Sequence, residues 1–300
     1  MKPDIRVVHD SRAIAGESPV WSQGEQALYW CDVMAPALHR LEPTTRQHRS
    51  WALPNLTGSI AVRQRGGLVA ATRDGFVFID MPSGDVTPIV NPEPQLKDNT
   101  FNDGRCDPQG RFWAGSSWLG PDGRYRDAPA QPTGTIYRLD ADLTCHAIVP
   151  GIGETNTFAW SPDERTIYFG DSSRAAVIYA ADWDGATGTI RNRREFVRTN
   201  QGTGIHDGSA IDAEGCLWTC FWEGWRIVRY APNGRIDRIV ELPVERPTSC
   251  TFGGADLRTL YVTTAHWYLD DAALAKQPLA GKLLAFEPGV RGMPDALFAG

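Results

Sequence analysis

A unit of short strands joined by glycine-containing turns recurs six times along this chain, and it constrains the fold more than any other feature. Two clear copies are residues 107–114 and 212–219, in which an Asp-x-x-Gly turn is followed by a strand that contains tryptophan. Four short antiparallel strands in each unit of roughly 40–55 residues are typical of propeller blades. The sequence therefore predicts an all-β fold, a six-bladed β-propeller, in a single domain that covers residues 1–300.

The predicted blades begin at equivalent places in the six units. These places are Gly16, Gly58, Asn102, Asn156, Asp207 and Thr248. Residues 5–8 and 296–298 are extra strand-like segments, and we expect one of them to complete the last blade, because closing the ring removes exposed strand edges. Residues 270–276 alone predict a helical turn. An antiparallel sandwich is the alternative fold, but six near-equal units favour the propeller.

Composition and charge exclude several classes of partner. A net charge of -6 argues against a nucleic-acid footprint, which needs clustered Lys and Arg. No apolar run approaches the ~20 residues of a membrane span, and the first residues lack the apolar stretch of a signal peptide. We therefore expect a cytoplasmic protein that binds neither nucleic acid nor a membrane. The six cysteines form no Cys-x-x-Cys pair and are expected to be reduced thiols in the core.

Acidic or amide side chains occupy the same phase in separate blades, at Glu17, Asn156 and Asp207. The first strand of each blade lines the central channel, so residues at equivalent positions converge on one mouth of that channel. An oxygen-rich set without His or Cys suits a hard divalent cation such as Ca²⁺, Mg²⁺ or Mn²⁺. Each residue alone is as well explained as an ordinary turn residue. Because the three residues occupy the same position of their blades, and Asn102 lies at that position in the third blade, a metal site is favoured.

The motifs around these residues resemble those of the SMP-30/gluconolactonase family, which includes regucalcin-like sugar lactonases, over nearly the whole chain. Thr157 stands where that family usually has glycine. The matching motifs are residues 16–21, 101–104 with 107–110, Asn156 with 160–163, and 207–208 with 212–215 and 217–218. The resemblance implies one divalent cation, whether Ca, Mg, Mn, Zn or Fe, at Glu17, Asn156 and Asp207. It also implies a proton-transfer role for Asp207 and a substrate contact at Asn102.

The chain departs from the family pattern at Thr100, where the family usually has a substrate-binding arginine. Either the substrate site has no guanidinium, or another residue supplies it, with Arg73 and Arg126 as candidates. Thr100 is taken as a substrate-binding position in its place. Residues 116–123 also lack a clear counterpart of the family's substrate-contacting glutamate. These departures leave the identity of the sugar open.

The predicted function is a metal-dependent hydrolase that opens an aldonic-acid lactone to the aldonate. In this hypothesis the cation polarises the lactone carbonyl, and Asp207 takes a proton from the attacking water and returns it to the ring oxygen. Asn102 holds a substrate hydroxyl. The alternatives are a phosphotriester or non-sugar lactone hydrolase on the same scaffold, and a non-catalytic propeller that binds a metal or a partner protein.

Two kinds of aromatic side chain are candidates for further roles. His206 precedes Asp207 and is a candidate partner of its carboxylate, although a lone exposed histidine more often has no role. Trp118, Trp222 and Trp267 are candidates for the walls of the cleft.

Overall fold

The computed structural model describes residues 3–120, 131–173 and 175–300. In these ranges the chain forms 24 β-strands, arranged as six antiparallel sheets of four strands each. The first strands of successive sheets contact one another in a closed ring, which makes each sheet a blade around a central channel. The predicted six-bladed β-propeller is confirmed.

The strands follow one another through the blades in chain order. β1 (Arg6–His9) precedes blade 1, which consists of β2 (Gly16–Ser22), β3 (Ala27–Asp32), β4 (Ala37–Glu42) and β5 (Gln47–Ala52). Blade 2 consists of β6 (Thr57–Val62), β7 (Leu68–Thr72), β8 (Gly75–Ile79) and β9 (Val86–Val90). Blade 3 consists of β10 (Asn99–Cys106), β11 (Phe112–Trp118), β12 (Gly134–Leu139) and β13 (Cys145–Ile152).

The second half of the ring repeats this order. Blade 4 consists of β14 (Thr155–Trp160), β15 (Thr166–Asp171), β16 (Val177–Asp184) and β17 (Thr189–Arg198). Blade 5 consists of β18 (Ile205–Ile211), β19 (Leu217–Trp222), β20 (Arg226–Tyr230) and β21 (Ile236–Glu241). Blade 6 consists of β22 (Pro247–Gly253), β23 (Thr259–Thr264), β24 (Leu283–Phe286) and β1. A short 3-10 helix spans Gln201–Thr203.

The N-terminal strand closes the ring. β1 pairs with β24, with Arg6 opposite Ala285 and Val7 opposite Leu284. The N-terminal segment, rather than residues 296–298, therefore completes the last blade. Phe298 makes only an isolated bridge to Arg63.

The Asp-x-x-Gly turn recurs because its aspartate binds both the turn and the tryptophan of the following strand. Asp107 Oδ2 accepts a hydrogen bond of 2.9 Å from the indole N–H of Trp113, and Asp212 Oδ2 accepts one of 2.8 Å from Trp218. The other oxygen of each aspartate accepts backbone N–H groups of its own turn. Both aspartates and both tryptophans are fully buried, so the motif stabilises the interior of blades 3 and 5.

The first strand of each blade, which lines the channel and is called its inner strand, contains a break in its pairing register. The break lies at the equivalent position in all six blades. The breaks lie between Glu17 and Val20, Thr57 and Ser59, Phe101 and Gly104, Asn156 and Phe158, His206 and Ser209, and Pro247 and Cys250. Such bulges change the direction in which a strand presents its side chains. They coincide with the predicted site residues.

One α-helix occurs in the described residues, α1 (Asp271–Lys276), as the sequence predicts. It begins after Asp270, whose carboxylate accepts a hydrogen bond of 2.8 Å from Ala273 N. No helix in the described part of the chain is long and apolar enough to cross a membrane. All six cysteines are free thiols.

The C-terminal segment crosses the propeller at the C-terminal ends of the inner strands. Asp295 accepts hydrogen bonds from Arg105 at 2.6 Å, from Trp21 N at 3.0 Å and from the Thr251 hydroxyl at 2.8 Å. These three residues belong to inner strands of three different blades. The segment therefore covers the end of the channel that lies away from Glu17 and Asp207.

Candidate active site

A cavity of about 220 Å³ lies where the inner strands begin. All five residues predicted to form the site line it: Glu17, Thr100, Asn102, Asn156 and Asp207. They come from blades 1, 3, 4 and 5. The structure thus brings together side chains that are up to 190 residues apart, counted from Glu17 to Asp207.

The amide of Asn156 is held in one orientation by its neighbours. Its Nδ2 donates to Ser172 Oγ at 3.0 Å, and Ser172 Oγ donates to the His206 carbonyl at 2.6 Å. Its Oδ1 accepts a bond of 3.2 Å from Asn102 Nδ2. The oxygen of Asn156 is therefore kept on the side of the amide that faces Asn102.

Acidic side chains at the mouth raise one another's pKa. Burial, followed by the charge of Asp103, raises the pKa of Glu17 well above its ordinary range. Burial, followed by the charges of Glu17 and Glu154, does the same for the pKa of Asp207. No Lys or Arg is among the described residues that line the cavity. Within the described part of the chain, the acidic charge at the cavity therefore has no counter-charge lining it.

The donor set fits a hard divalent cation. Carboxylate and amide oxygens are the ligands that such ions prefer, and an ion here would supply the missing positive charge. Among the described residues, no three His, Cys, Asp or Glu side chains gather closely enough to hold a metal ion by themselves. An ion at this mouth would therefore also need a ligand of another kind, and the oriented amide of Asn156 provides one.

Two acidic residues of the mouth were not predicted. Glu154 lines the cavity, and burial followed by the charge of Asp171 raises its pKa to about 7. Burial raises the pKa of Asp103 to about 6, against the opposing charge of Arg105. A signal for Glu154 exists in the sequence, since it lies two residues before Asn156, and alternate residues of a strand share a side.

His206 is buried, so the expectation of an exposed histidine is wrong. Its Nδ1 lies 3.0 Å from Thr199 Oγ1, and that hydroxyl donates its only proton to the Ala176 carbonyl at 3.1 Å. Nδ1 must therefore carry the proton, which leaves Nε2 without one. Burial lowers the pKa of His206 to about 3, so the ring is neutral. Nδ1 binds Thr199, and Nε2 has no hydrogen-bond partner among the described residues. The ring therefore does not bind the Asp207 carboxylate.

The arginine that the family pattern would place near the substrate is not replaced by Arg73 in this arrangement. Arg73 Nη2 donates to the carbonyls of Lys97 at 3.1 Å and Gly120 at 3.4 Å, and the residue does not line the cavity. Arg126 lies outside the described residues, as do residues 121–123 of the segment 116–123. Thr100 is 3 % exposed, and its hydroxyl donates to the Phe101 carbonyl at 3.4 Å.

Aromatic side chains form one wall of the cavity. Trp222 and Trp267 line it as predicted, together with Tyr268, whereas Trp118 does not. The rings of Trp222 and Trp267 meet edge to face with centroids 6.4 Å apart, and Trp267 stacks on Tyr268 at 4.3 Å. Arg246 supports this wall, because its guanidinium lies 5.1 Å from the Trp222 ring centroid and donates to the Trp267 carbonyl.

The fold and the site together define a class of protein: a six-bladed propeller with an acidic pocket at one mouth of its channel. The model of the SMP-30/Gluconolactonase/LRE-like region matches residues 15–266, and the chain belongs to this family. The resemblance seen in the sequence motifs is thereby confirmed.

Relatives match the chain along its whole length. It is 35% identical to a 6-deoxy-6-sulfogluconolactonase of Pseudomonas putida, with 100% of each chain covered. It is 37% identical to a regucalcin of Danio rerio, with 95% of each chain covered. Among solved structures, a regucalcin of Agrobacterium tumefaciens, described as a calcium-binding protein, has a TM-score of 0.92 at 27% identity, with 100% of this chain and 99% of that chain covered.

Proposed function

We propose that the protein is a lactonase that uses one divalent cation to open a sugar-acid lactone to its aldonate. The observation that carries this proposal is the convergence of Glu17, Asn156 and Asp207 on one cavity whose described lining residues include no Lys or Arg. The cavity of about 220 Å³ is smaller than typical sites for drug-sized ligands, which suits a substrate the size of one sugar ring. Membership of a family whose relatives include a sulfogluconolactonase supports the same substrate class.

The side chains of Glu17, Asn156 and Asp207 would hold the cation. When bound, such an ion supplies Lewis-acid polarisation of the lactone carbonyl. Oxygen-only ligands favour Ca²⁺, Mg²⁺ or Mn²⁺. The relative from Agrobacterium tumefaciens is described as calcium-binding, which agrees with this preference.

Asp207 is the proposed general base. Its backbone is fixed because its carbonyl accepts a bond of 2.8 Å from the Thr157 hydroxyl. Gly208 beside it leaves no room for a side chain, since a Cβ there would lie 2.1 Å from Ser249 Oγ. A carboxylate held in this way can take a proton from the attacking water and deliver it to the ring oxygen as the ester bond breaks.

Asn102 and Thr100 are the proposed substrate contacts. Asn102 Nδ2 is engaged by the Thr155 carbonyl at 2.8 Å and by Asn156, which fixes the amide at the cavity wall. The remaining oxygen of Asn102 is placed to accept a substrate hydroxyl. The Thr100 side chain occupies the position of the missing arginine and can offer only a neutral hydroxyl.

A second candidate function is hydrolysis of a non-sugar lactone or a phosphotriester. The aromatic wall of Trp222, Trp267 and Tyr268 favours it, because that wall suits a less polar substrate. A non-catalytic metal-binding propeller is the remaining alternative. A cytoplasmic location stays a prediction from the sequence.

The experiment that separates these functions is a substrate panel on protein first stripped of metal with a chelator. Hydrolysis is measured by the release of protons. We expect a sugar lactone to be hydrolysed only after Ca²⁺, Mg²⁺, Mn²⁺ or Zn²⁺ is restored. Faster turnover of a phosphotriester or of an unsubstituted lactone would favour the second function. Cation binding that raises thermal stability without turnover of any substrate would favour the non-catalytic propeller.

A further inference from the structure

Glu154 has no task in the proposed chemistry, yet its side chain lines the same cavity. Its backbone is firmly held: its N–H donates to Asp171 Oδ1 at 3.2 Å, and its carbonyl accepts from Ser172 N at 2.9 Å. Its carboxylate receives no hydrogen bond from the described residues. A rigid backbone therefore presents a strong acceptor to the cavity with no described protein group to satisfy it.

Glu154 does not fit the role of a further metal ligand. It lies one residue before β14 and two residues before Asn156, a separation of up to about 7 Å in an extended chain. Among the described residues, no three carboxylate, imidazole or thiol side chains come close enough together to bind one ion. Glu154 therefore does not complete a three-carboxylate site with Glu17 and Asp207.

The hydroxyl groups of a sugar substrate offer the donors that the described residues do not supply to Glu154. A carboxylate, when it is ionised, forms stronger hydrogen bonds than a neutral acceptor, and sugar hydroxyls are good donors. The aromatic wall can cover the apolar C–H face of a sugar ring, which leaves the hydroxyls directed to polar groups such as Glu154 and Asn102. A ligand without hydroxyls would leave the carboxylate buried and unsatisfied, and sites of this kind reject such ligands strongly.

We propose that Glu154 is a specificity residue, whose carboxylate accepts hydroxyl groups of the bound lactone and makes the site select polyhydroxylated lactones. The proposal rests on the proposed lactonase function. It assigns to Glu154 a contact with the substrate, separate from the cation and from the proton transfer at Asp207.

The test compares two lactones of the same ring size, D-glucono-1,5-lactone and δ-valerolactone, in the metal-loaded protein. In Glu154→Ala we expect kcat/KM for gluconolactone to fall by ~10-fold, mainly through KM, as for the loss of a hydrogen bond to a charged group. Glu154→Gln keeps one acceptor oxygen and should lie between the wild type and the alanine variant. Hydrolysis of δ-valerolactone should change by less than ~2-fold, because that substrate makes no hydroxyl contact.

Two further measurements make the outcome specific. Calorimetric titration with Ca²⁺ should give an affinity within ~3-fold of the wild type for both Glu154 variants, because they remove a neighbouring charge and not a ligand of the ion. Glu287→Gln, which removes the same charge at an exposed position outside the cavity, should match the wild type on both lactones.

Equal loss on both lactones, or a ~10-fold weaker affinity for Ca²⁺, would overturn the proposal, because Glu154 would then serve the reacting centre or the ion. Unchanged kinetics on gluconolactone would overturn it as well. If the wild type hydrolyses neither lactone with any cation, the proposed function itself fails, and the assignment of Glu154 falls with it.

Discussion

At the scale of single residues, the mouth of the channel places acidic side chains together, and none of the described residues that line it is a Lys or Arg. Besides burial, the charges of Asp103 and Glu154 raise the pKa of Glu17. Burial and the charges of Glu17, Glu154 and Asp103 raise the pKa of Asp207. Charged carboxylates in such a place are costly unless protons or a metal ion neutralise them. Protons and a divalent cation therefore compete for the same oxygen atoms.

The affinity for a divalent cation is expected to keep rising with pH above the range in which ordinary carboxylates titrate. Because the pKa values of Glu17 and Asp207 are raised, the metal-free site still binds protons above that range, and an incoming ion must displace them. Calorimetric titration with Ca²⁺ in buffers of different ionisation enthalpy measures both the affinity and the protons released. An affinity that does not vary with pH, without proton release, would contradict this competition.

Residues that line the cavity were predicted where a repeat or a family motif marked them. Glu17, Asn156 and Asp207 share a phase in three blades, and the structure places all three at one cavity. Glu154 has no acidic counterpart at the equivalent position of the other blades, so no repetition drew attention to it. The burial of His206 depends on a neighbouring blade, since a Cβ at Gly170 would lie 2.7 Å from His206 Nε2. Local sequence carries no information about such a contact.

At the scale of the elements, bulges in the inner strands direct the site residues into the cavity. The bulges also bring neighbouring blades close together. At Gly58, in the bulge of β6, a Cβ would lie 2.2 Å from the Phe101 carbonyl and 2.5 Å from the Asn102 carbonyl of blade 3. Only a residue without a side chain allows this approach of β6 to β10.

Gly58→Ala should lower the free energy of unfolding by about 2 kcal/mol or more, because the added methyl group pushes blades 2 and 3 apart. Gly24→Ala is the matched control, since a Cβ at that position meets no atom within 4 Å. It should change stability by less than about 0.5 kcal/mol. Denaturant unfolding of both variants measures the difference. Equal stabilities would show that β6 and β10 can separate at little cost.

The elements were largely predictable because each blade contains the same turn and strand. All six predicted blade starts fall within or at the first strand of a blade. The bulges were not predictable, since they follow from how neighbouring inner strands pack around the channel. The sequence also left open which terminal segment closes the ring, because both have a strand-like pattern and the choice depends on pairing with β24.

At the scale of the whole molecule, both ends of the chain hold the ring together. The N-terminal strand completes blade 6, and the C-terminal segment joins blades 1, 3 and 6 through Asp295. The side chain of Asp295 is 5% exposed, and the side chain of its ion-pair partner Arg105 is 18% exposed. We propose that these closures make residues 1–300 unfold as a single domain.

Asp295→Ala should lower the free energy of unfolding by about 3 kcal/mol, because the largely buried Arg105 loses its carboxylate partner. Among the described residues, Arg105 then keeps only the carbonyls of Ser209 and Cys250. Unfolding should remain a single transition, and the affinity for Ca²⁺ should stay unchanged, since Asp295 lies at the other end of the channel. Asp256→Ala, at an exposed position, serves as the control. Two separate transitions in the wild type would contradict the single domain.

The most direct test of a cation-dependent lactonase with Asp207 as its base is the turnover of Asp207→Asn at saturating cation. The amide oxygen can still bind an ion but cannot accept a proton at neutral pH. Calorimetry should show appreciable cation affinity, whereas lactone turnover should fall by ~10²-fold or more, the usual scale of general-base catalysis. Near-normal turnover with the cation bound would contradict the role of Asp207. The absence of lactone hydrolysis by the wild type with every cation would contradict the proposed activity.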